Sequence, residues 1–360
     1  MSDAPVSLVP SSRPGQQPLS LYDRVRMALL EDHGPGGEGD VTSRALIPPG
    51  LAARGIIQAK APGVLCGVNL LALIFQLAEE LIDPRAQDRV EAQREAEEAA
   101  KAGRLPWQEA EERVVRSQAD GIQIKVLKKD GARLTPGEAV AELSGHAPAL
   151  LFGERTALNL LCHLSGIATL TARCVERCAG TRAKVVDTRK TTPLWRDLEK
   201  YAVKCGGGEN HRRGLYDMAL IKDNHLALWG SRDPAEAVRV VRARYPQLPV
   251  EIEVQDLAGL AKVCRGGAPG YVLLDNFDFE RLRQAVTWCD EFYKNRPGRP
   301  LLEASGGVTF EGLGALAQTG VDRISMGALT HSAPALDLSL ELNAGLELNG
   351  GVQGLDKAKK

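Results

Sequence analysis

The second half of the chain repeats one pattern, in which short apolar segments alternate with segments long enough to form a helix. This alternation predicts parallel strands joined by crossover helices, because tight turns cannot join parallel strands. Closing such a sheet into a barrel removes its exposed edges. The six strand segments are Lys184–Asp187, Met218–Lys222, Val250–Val254, Tyr271–Asp275, Leu301–Ala304 and Arg323–Ser325. Because an eight-stranded barrel needs two more, we predict an incomplete parallel α/β barrel over residues 151–334.

A different pattern in residues 19–150 predicts a second, smaller domain. Helical periodicity covers Leu21–Leu30, and a compact apolar segment predicts a packed helix over residues 70–81. Short strand-like patterns with turn residues occupy residues 52–67 and 121–143. These segments predict an N-terminal α+β sandwich, so the expected fold class is α/β with two domains.

Three further segments are expected to lie outside the two cores or to connect them. Residues 1–18 are expected to form a disordered tail. Residues 84–118 show a polar helical pattern without a wide apolar stripe, which favours a solvated insertion over a partner-binding arm. Residues 335–346 follow Pro334 and predict a final helix that packs back on the N-terminal domain.

The composition indicates a soluble cytoplasmic protein. A net charge of −1 and a pI of about 6.6 argue against a general nucleic-acid or membrane-surface binder. The first twenty residues lack the features of a secretory signal, and the longest apolar stretch is far shorter than the roughly 18 residues of a membrane span. The seven cysteines include no CxxC pair, so we expect reduced thiols and the spacing indicates no zinc site.

Positive charge is concentrated in the segment Lys184–Lys222, which holds nine Lys or Arg residues against five acidic ones. Because the whole chain is nearly neutral, this excess predicts a site for small polyanions. Guanidinium groups bind carboxylates with two parallel hydrogen bonds, so the cluster could hold an organic acid. Its proposed members are Arg189, His211, Arg212 and Lys222. Taken alone, a histidine such as His211 is more often a surface or hydrogen-bonded residue than a catalyst.

Polar or glycine-rich residues follow the predicted strands, at the end of the barrel where such folds carry their catalytic groups. Glu251 and Glu253 lie two residues apart and share one strand face. They either form salt bridges or, with Asp275, hold a hard cation such as Mg²⁺, directly or through water. The segments Ser305-Gly306-Gly307 and Met326-Gly327 are common in turns, but their position after the last two strands favours phosphate binding.

Longer strings in the chain support one family assignment. They are ERTALNLLCHLSGIAT (154–169), DTRKTTP (187–193), GGGENHRRGLYDMALIKDNH (206–225), EIEV (251–254), LLDNF (273–277), EASGGV (303–308) and ISMGALTHSAPALDLSL (324–340). With these strings, most of residues 20–346 resembles the quinolinate phosphoribosyltransferases, also called carboxylating nicotinate-nucleotide pyrophosphorylases. The resemblance implies a type II phosphoribosyltransferase fold in an assembly that is at least a dimer with a shared active site.

The resemblance also implies a reaction and a set of site residues. Phosphoribosyl would pass from phosphoribosyl pyrophosphate to quinolinate with Mg²⁺, giving nicotinate mononucleotide, pyrophosphate and CO₂ in de novo NAD biosynthesis. The quinolinate site would comprise Thr188, Arg189, His211, Arg212 and Lys222, with Arg155 from the neighbouring subunit. The catalytic residues would be Lys190, Glu253 and Asp275, of which the two acids also face Mg²⁺. The phosphate site would comprise Ser305, Gly306, Gly307, Gly327 and His331.

Two other functions are compatible with the same residues. A relative with this fold could act on another anionic ring, although the full set of basic residues speaks against it. A non-catalytic sensor of phosphorylated ligands could use the insertion as an arm, but it would not need Glu253 and Asp275 together with Lys190.

Overall fold

A computed structural model describes residues 19–34, 36–37, 39–83 and 121–344. The predicted tail at residues 1–18 and the predicted insertion at residues 84–118 lie outside these ranges.

The N-terminal part of the structure is built on a four-stranded antiparallel sheet in the order β12-β1-β5-β3. A two-stranded ribbon of β2 and β4 lies beside it. The strands are β1 (Ala52–Ala59), β2 (Gly63–Val64), β3 (Gln123–Val126), β4 (Arg133–Leu134), β5 (Ala139–His146) and β12 (Leu338–Ala344). Buried and exposed positions alternate along β1, as expected for a strand with one face on a core.

Strand β12 replaces the helix that we predicted for residues 335–346. Leucines recur at every second position, at Leu338, Leu340 and Leu342, and this period of two suits a strand. The strand pairs antiparallel with β1, from Ala59↔Leu338 to Ala53↔Ala344. Two of the leucines lie over Gly55, where an added Cβ would come within 2.7 Å of Leu342 and 2.8 Å of Leu340. The segment therefore does pack back on the N-terminal domain, but as an edge strand.

Three helices cover this part of the structure. They are α1 (Leu21–His33), α2 (Val41–Leu46) and α3 (Leu71–Ile82). Helix α1 begins with a capping box between Ser20 and Asp23 and buries Val25 and Leu29. Helix α3 is strongly apolar and fully buries Phe75.

Helix α4 (Ala147–Arg177) is the longest described element, with 31 residues, and it packs against helices and strands of both domains. It runs through the boundary that we predicted near residue 150. Among the described helices it alone is long and apolar enough to cross a membrane, yet 56% of its most apolar window is buried inside the protein. Such burial is typical of a core helix.

The C-terminal part contains a six-stranded, all-parallel sheet in the order β6-β11-β10-β9-β8-β7. Its strands are β6 (Lys184–Val186), β7 (Ala219–Ile221), β8 (Val250–Val254), β9 (Tyr271–Asp275), β10 (Leu301–Ser305) and β11 (Arg323–Ser325). Its helices are α5 (Arg196–Cys205), α6 (Asp223–Leu228), α7 (Pro234–Arg244), α8 (Leu257–Gly266), α9 (Phe279–Tyr293), α10 (Leu313–Ala317) and α11 (Ala328–His331).

Strand β6, the first of these strands along the chain, pairs with β11, the last one. The sheet therefore curves into a barrel that stays open between β6 and β7. The segment after α5 occupies part of the opening, because Glu209 forms a parallel bridge with Val186. Asp187 N donates to the Glu209 carbonyl at 3.2 Å, and Glu209 N donates to the Val185 carbonyl at 2.9 Å. The predicted incomplete barrel is confirmed, and the segment before His211 lies against β6 at its open edge.

Candidate active site

A cavity of about 690 Å³ lies at the carboxyl ends of the barrel strands. Most of the predicted site residues line it: Thr188, Arg189, Lys190, His211, Arg212, Lys222, Glu253, Asp275, Ser305, Gly306, Gly307, Gly327 and His331. The strand order brings these residues together from seven separate segments of the chain, at strand ends and in the loops beside them. Arg155 is the exception, because it is exposed on α4 and does not line the cavity of its own chain.

The loop after β6 carries Thr188, Arg189 and Lys190 into the cavity. The Thr188 hydroxyl accepts a hydrogen bond from Lys190 N at 3.1 Å. The Lys190 carbonyl accepts one from the Thr330 hydroxyl at 2.8 Å, which ties this loop to α11. Arg189 is half-buried, and its Nε atom is buried without a hydrogen-bond partner. An anion bound in the cavity would satisfy this nitrogen.

His211 is held on both sides of its backbone by a buried ion pair. Its amide N donates to Asp187 Oδ1 at 2.8 Å, and its carbonyl accepts from Lys200 Nζ at 3.1 Å. Lys200 Nζ also pairs with Asp187 Oδ1, and both side chains are almost completely buried. Asp187 and Lys200 therefore fix the backbone that carries the His211 ring, although neither residue lines the cavity.

The ring of His211 faces two buried carboxylates. Its Nε2 atom lies 2.9 Å from Glu251 Oε2 and 3.4 Å from Glu303 Oε1. Arg323 lies 3.4 Å from the other oxygen of Glu303 and stacks over Tyr271 at 4.9 Å. The chain of contacts continues from the cavity to the barrel core, and Glu251 and Glu303 are fully buried.

The surroundings of His211 and Glu251 raise the pKa of both groups. Burial lowers the pKa of His211, but hydrogen bonds to Glu251 and Glu303 outweigh burial and raise it to about 9. The Arg212 amide donates to Nδ1 at 2.7 Å, so in the neutral form of the ring the proton sits on Nε2. Burial, and then the charge of Glu303, also raise the pKa of Glu251. Both shifts favour the protonated forms, so the two groups titrate as a unit.

Two more basic side chains stand beside this ring. The Arg212 guanidinium donates to the Met218 carbonyl at 3.3 Å. Burial, and then the charge of Arg189, lower its pKa, so two guanidinium groups repel each other across the cavity. Lys222 Nζ, which is half-exposed, lies 3.9 Å from Glu253 Oε2. Bound carboxylates would relieve this repulsion and accept paired hydrogen bonds.

The wall of the cavity that adjoins Lys222 is acidic. Gln255 Nε2 donates to Glu253 Oε1 at 3.3 Å and to Asp275 Oδ2 at 3.4 Å, so one amide group spans the two carboxylates. Asn276 Nδ2 also donates to Asp275 Oδ2 at 3.0 Å. Burial, and then the charge of Asp275, raise the pKa of Glu253. Two repelling carboxylates with oxygen donors at the cavity surface suit a hard divalent cation.

Two glycine-containing loops, one at the end of β10 and one after β11, form the glycine rim of the cavity. Gly306 has a φ of 92°, and a Cβ at this position would lie 2.2 Å from Asn276 Oδ1. A Cβ at Gly327 would lie 3.0 Å from Lys190 Cδ and 3.1 Å from His331 Nε2. The missing side chains therefore let Lys190 and His331 approach the backbone, where a phosphate could contact amide groups and a cation together.

Comparison with known proteins decides the family. The domain described as "Quinolinate phosphoribosyl transferase, C-terminal domain" matches residues 167–341, and the corresponding N-terminal domain matches residues 107–165. The chain belongs to the quinolinate phosphoribosyltransferase family. The family resemblance drawn from the sequence strings is confirmed.

Named relatives of the chain agree with this assignment. The "Nicotinate-nucleotide pyrophosphorylase [carboxylating]" of Mycobacterium leprae is 40% identical over 320 residues, which cover 89% of this chain and 96% of that protein. A probable enzyme of the same name from Bacillus subtilis is 45% identical over 224 residues, 62% of this chain and 74% of that one. The crystal structure of NadC from Streptococcus pyogenes has a TM-score of 0.71 and 33% identity, and the match covers 91% of this chain and 99% of that one.

Glu303 was not predicted as a site residue, although it lines the cavity and contacts His211. It lies two residues before Ser305 on β10 and shares its strand face. That spacing was available in the sequence, but the contact with His211 depends on the curvature of the barrel. Glu251 and Glu253 also differ in their surroundings. Glu251 pairs with His211 in the interior, whereas Glu253 lies at the cavity.

Proposed function

We propose that this chain transfers phosphoribosyl from phosphoribosyl pyrophosphate to quinolinate with loss of CO₂, giving nicotinate mononucleotide and pyrophosphate in de novo NAD biosynthesis. The observation that carries the proposal is the division of one cavity into a basic wall, an acidic wall and a glycine rim. Each part suits one portion of the two substrates.

The basic wall is the proposed quinolinate site. Quinolinate has two adjacent carboxylates, and burying them requires several cationic hydrogen-bond donors. Arg189 and Arg212 supply planar donors, and Lys222 supplies a point charge. His211 lines the same wall while its Nε2 atom pairs with Glu251, and Thr188 lies on the adjoining loop. A substrate with a single carboxylate would leave part of this wall unpaired.

The glycine rim is the proposed site of the 5′-phosphate. Ser305, Gly306 and Gly307 follow β10, while Gly327 and His331 lie after β11. Lys190 approaches Gly327 from the loop after β6 and is the proposed partner of the pyrophosphate. The ammonium group of Lys190 would neutralise the charge of the pyrophosphate as its bond to the ribose breaks.

The acidic wall is the proposed site of Mg²⁺. Glu253 and Asp275 would hold the ion directly or through water. When bound, Mg²⁺ would neutralise the charge of the pyrophosphate. The two carboxylates would in addition face the positive charge that develops on the ribose ring.

The proposed reaction needs no nucleophilic side chain. The pyridine nitrogen forms a bond to ribose C1 while the bond from C1 to the pyrophosphate oxygen breaks. The ring then carries a positive charge, so the 2-carboxylate leaves as CO₂, its electron pair stays on C2, and a proton from water replaces it. Arg189, Arg212 and Lys222 would hold the substrate in the orientation for both steps.

A homodimer or larger homo-oligomer in the cytoplasm is the proposed assembly. Arg155 is exposed and lies away from its own cavity, which supports a role in the site of a partner subunit. A second cavity of about 840 Å³ beside the basic wall is lined mostly by apolar groups, among them Leu215 and Tyr216, which are 71% and 59% exposed. Exposed apolar patches of this kind are typical of subunit interfaces.

The test is formation of nicotinate mononucleotide from quinolinate, phosphoribosyl pyrophosphate and Mg²⁺, with nicotinic acid as the comparison substrate. Turnover of quinolinate but not of nicotinic acid is the expected result. If neither acid reacts while phosphoribosyl pyrophosphate still binds, the chain is a ligand sensor and the proposal is wrong.

A further inference from the structure

Two cysteines from distant parts of the sequence meet where the domains contact each other. Cys66 follows β2 and is fully buried, whereas Cys205 is the last residue of α5 and is half-buried. Asp130, in the turn before β4, lies beside them. The two sulfur atoms and one carboxylate oxygen of Asp130 are all within 4.8 Å of one another. We infer that Cys66, Asp130 and Cys205 form a binding site for a thiophilic divalent cation of the Zn²⁺ class.

The donor set favours this class of ion over Mg²⁺. Two thiolates and a carboxylate are ligands that Zn²⁺ prefers, whereas Mg²⁺ takes oxygen donors. Sulfur ligands at about 2.3 Å from a tetrahedral ion lie about 3.8 Å apart. The three side chains need to move by less than about 1 Å to reach this spacing. Water, or the hydroxyl of Tyr201, would provide the fourth ligand.

Neighbouring groups already orient the carboxylate. Val68 N donates to Asp130 Oδ1 at 3.0 Å, and the Tyr201 hydroxyl donates to Oδ2 at 3.0 Å. Hydrogen bonds of this kind to a ligand side chain fix its direction and strengthen metal sites. Tyr201 is 40% exposed, so the cluster has a side that is open to solvent and through which an ion can enter.

The contact between the two thiols also shifts their pKa values in opposite directions. The hydrogen bond to Cys205, and then burial, raise the pKa of Cys66. The hydrogen bond from Cys66 lowers the pKa of Cys205. Binding would form two sulfur–metal bonds, and each thiol would release its proton to solvent. Occupancy should therefore increase with pH.

The position of the cluster gives the ion a structural role. Cys66 and Asp130 belong to the N-terminal domain, whereas Cys205 directly precedes the segment Gly206–Gly208 that leads to His211. A Cβ at Gly206 would lie 2.3 Å from the Ala168 carbonyl oxygen, so this segment packs directly on α4. A bound ion would connect the domain contact to the segment that carries the basic wall.

The experiment measures metal binding and is independent of the reaction proposed above. Reduced full-length protein is equilibrated with Zn²⁺, passed through a desalting column and analysed for zinc per chain. A parallel sample with Co²⁺ reports sulfur ligation through thiolate-to-metal charge-transfer absorption. The variants are Cys205→Ser and Asp130→Asn. Cys289→Ser is the matched control, because Cys289 is buried against a second thiol, Cys264.

The expected result is one zinc per chain in the wild type and in Cys289→Ser, loss in Cys205→Ser and reduced retention in Asp130→Asn. The charge-transfer band should disappear with Cys205 and identify the site, because the other cluster of ligand-type side chains in the described chain, at His211, has no sulfur. Equal retention in Cys205→Ser, or no retention in the wild type, would overturn the inference.

Discussion

The ammonium group of Lys200 and the carboxylate of Asp187 form an ion pair that is almost completely buried and holds both backbone polar groups of His211. Asn210 adds to this arrangement, because its amide nitrogen donates to Asp187 Oδ2 at 2.9 Å and to the Lys200 carbonyl at 2.8 Å. The pair therefore positions one wall of the cavity without lining it, and its loss should affect both stability and substrate binding.

Replacing Lys200 by Met should destabilise the protein by about 3–5 kcal/mol, because it leaves the Asp187 carboxylate buried without its partner. The measurement is chemical denaturation. Lys204→Met is the control, since Lys204 is exposed on the same helix and its removal should change the free energy of unfolding by less than about 0.5 kcal/mol. Similar losses in the two variants would show that Lys200 is not needed for the fold.

The His211–Glu251 pair should make stability decrease at alkaline pH. The folded-state pKa of His211 is raised from 6.5 to about 9. Its contribution is therefore complete below about pH 6.5 and is lost as the pH increases through about 9. Glu251→Gln removes the partner of Nε2 and should flatten this dependence, by on the order of 2 kcal/mol between the two limits. Unfolding measured across this range checks the prediction, and parallel curves for the two proteins would contradict it.

Removing either carboxylate of the acidic wall should slow turnover. Glu253→Gln and Asp275→Asn each delete a charge that we propose to face the developing positive charge of the ribose, and we expect kcat to decrease by about 10²–10³-fold. Steady-state kinetics at saturating Mg²⁺ is the measurement. Glu280→Gln, on the exposed surface of α9, is the control and should retain full activity. If kcat survives in both acidic-wall variants, these residues do not act in catalysis.

Substituting Gly306 by Ala should weaken binding of phosphoribosyl pyrophosphate. The new Cβ would lie 2.2 Å from Asn276 Oδ1 at a φ of 92°, so the loop must move. Gly298→Ala is the matched control, because its φ is 82° but nothing lies within 4 Å of the added Cβ. Both substitutions carry backbone strain of about 1–2 kcal/mol, whereas an increase in KM for the sugar substrate is expected in Gly306→Ala alone. An unchanged KM there would remove this loop from the phosphate site.

Mixed oligomers test whether Arg155 acts in a partner subunit. Arg155→Ala and Lys222→Ala chains should each be inactive alone, since each lacks one of the cations proposed to bind quinolinate. Mixing them by denaturation and refolding should restore activity, because some sites then receive Arg155 from one chain and Lys222 from the other. Activity assays at a series of mixing ratios give the result. If no ratio restores activity, Arg155 does not complete a partner's site.

Local patterns in the sequence were sufficient for the barrel and for much of the cavity. Each strand of a parallel sheet is covered on both faces, so it is encoded as a short apolar run, and the six runs correspond to β6–β11. Residues after these runs share one end of the sheet by topology alone. For this reason Lys190, Glu253 and Asp275 could be expected at one place before any coordinates were known.

The remaining features depend on which segments meet in space. Residues 335–346 were predicted as a helix because their period of two acquires meaning only when β1 offers an edge for pairing. The contact of Glu303 with His211 requires the curvature of the closed sheet, and the meeting of Cys66 with Cys205 requires the packing of one domain on the other. The sequence by itself determined the order of the elements and the chemical types at strand ends, because these are local properties. Only the tertiary structure decided which buried charges and thiols face one another, because distances between remote residues are set by packing.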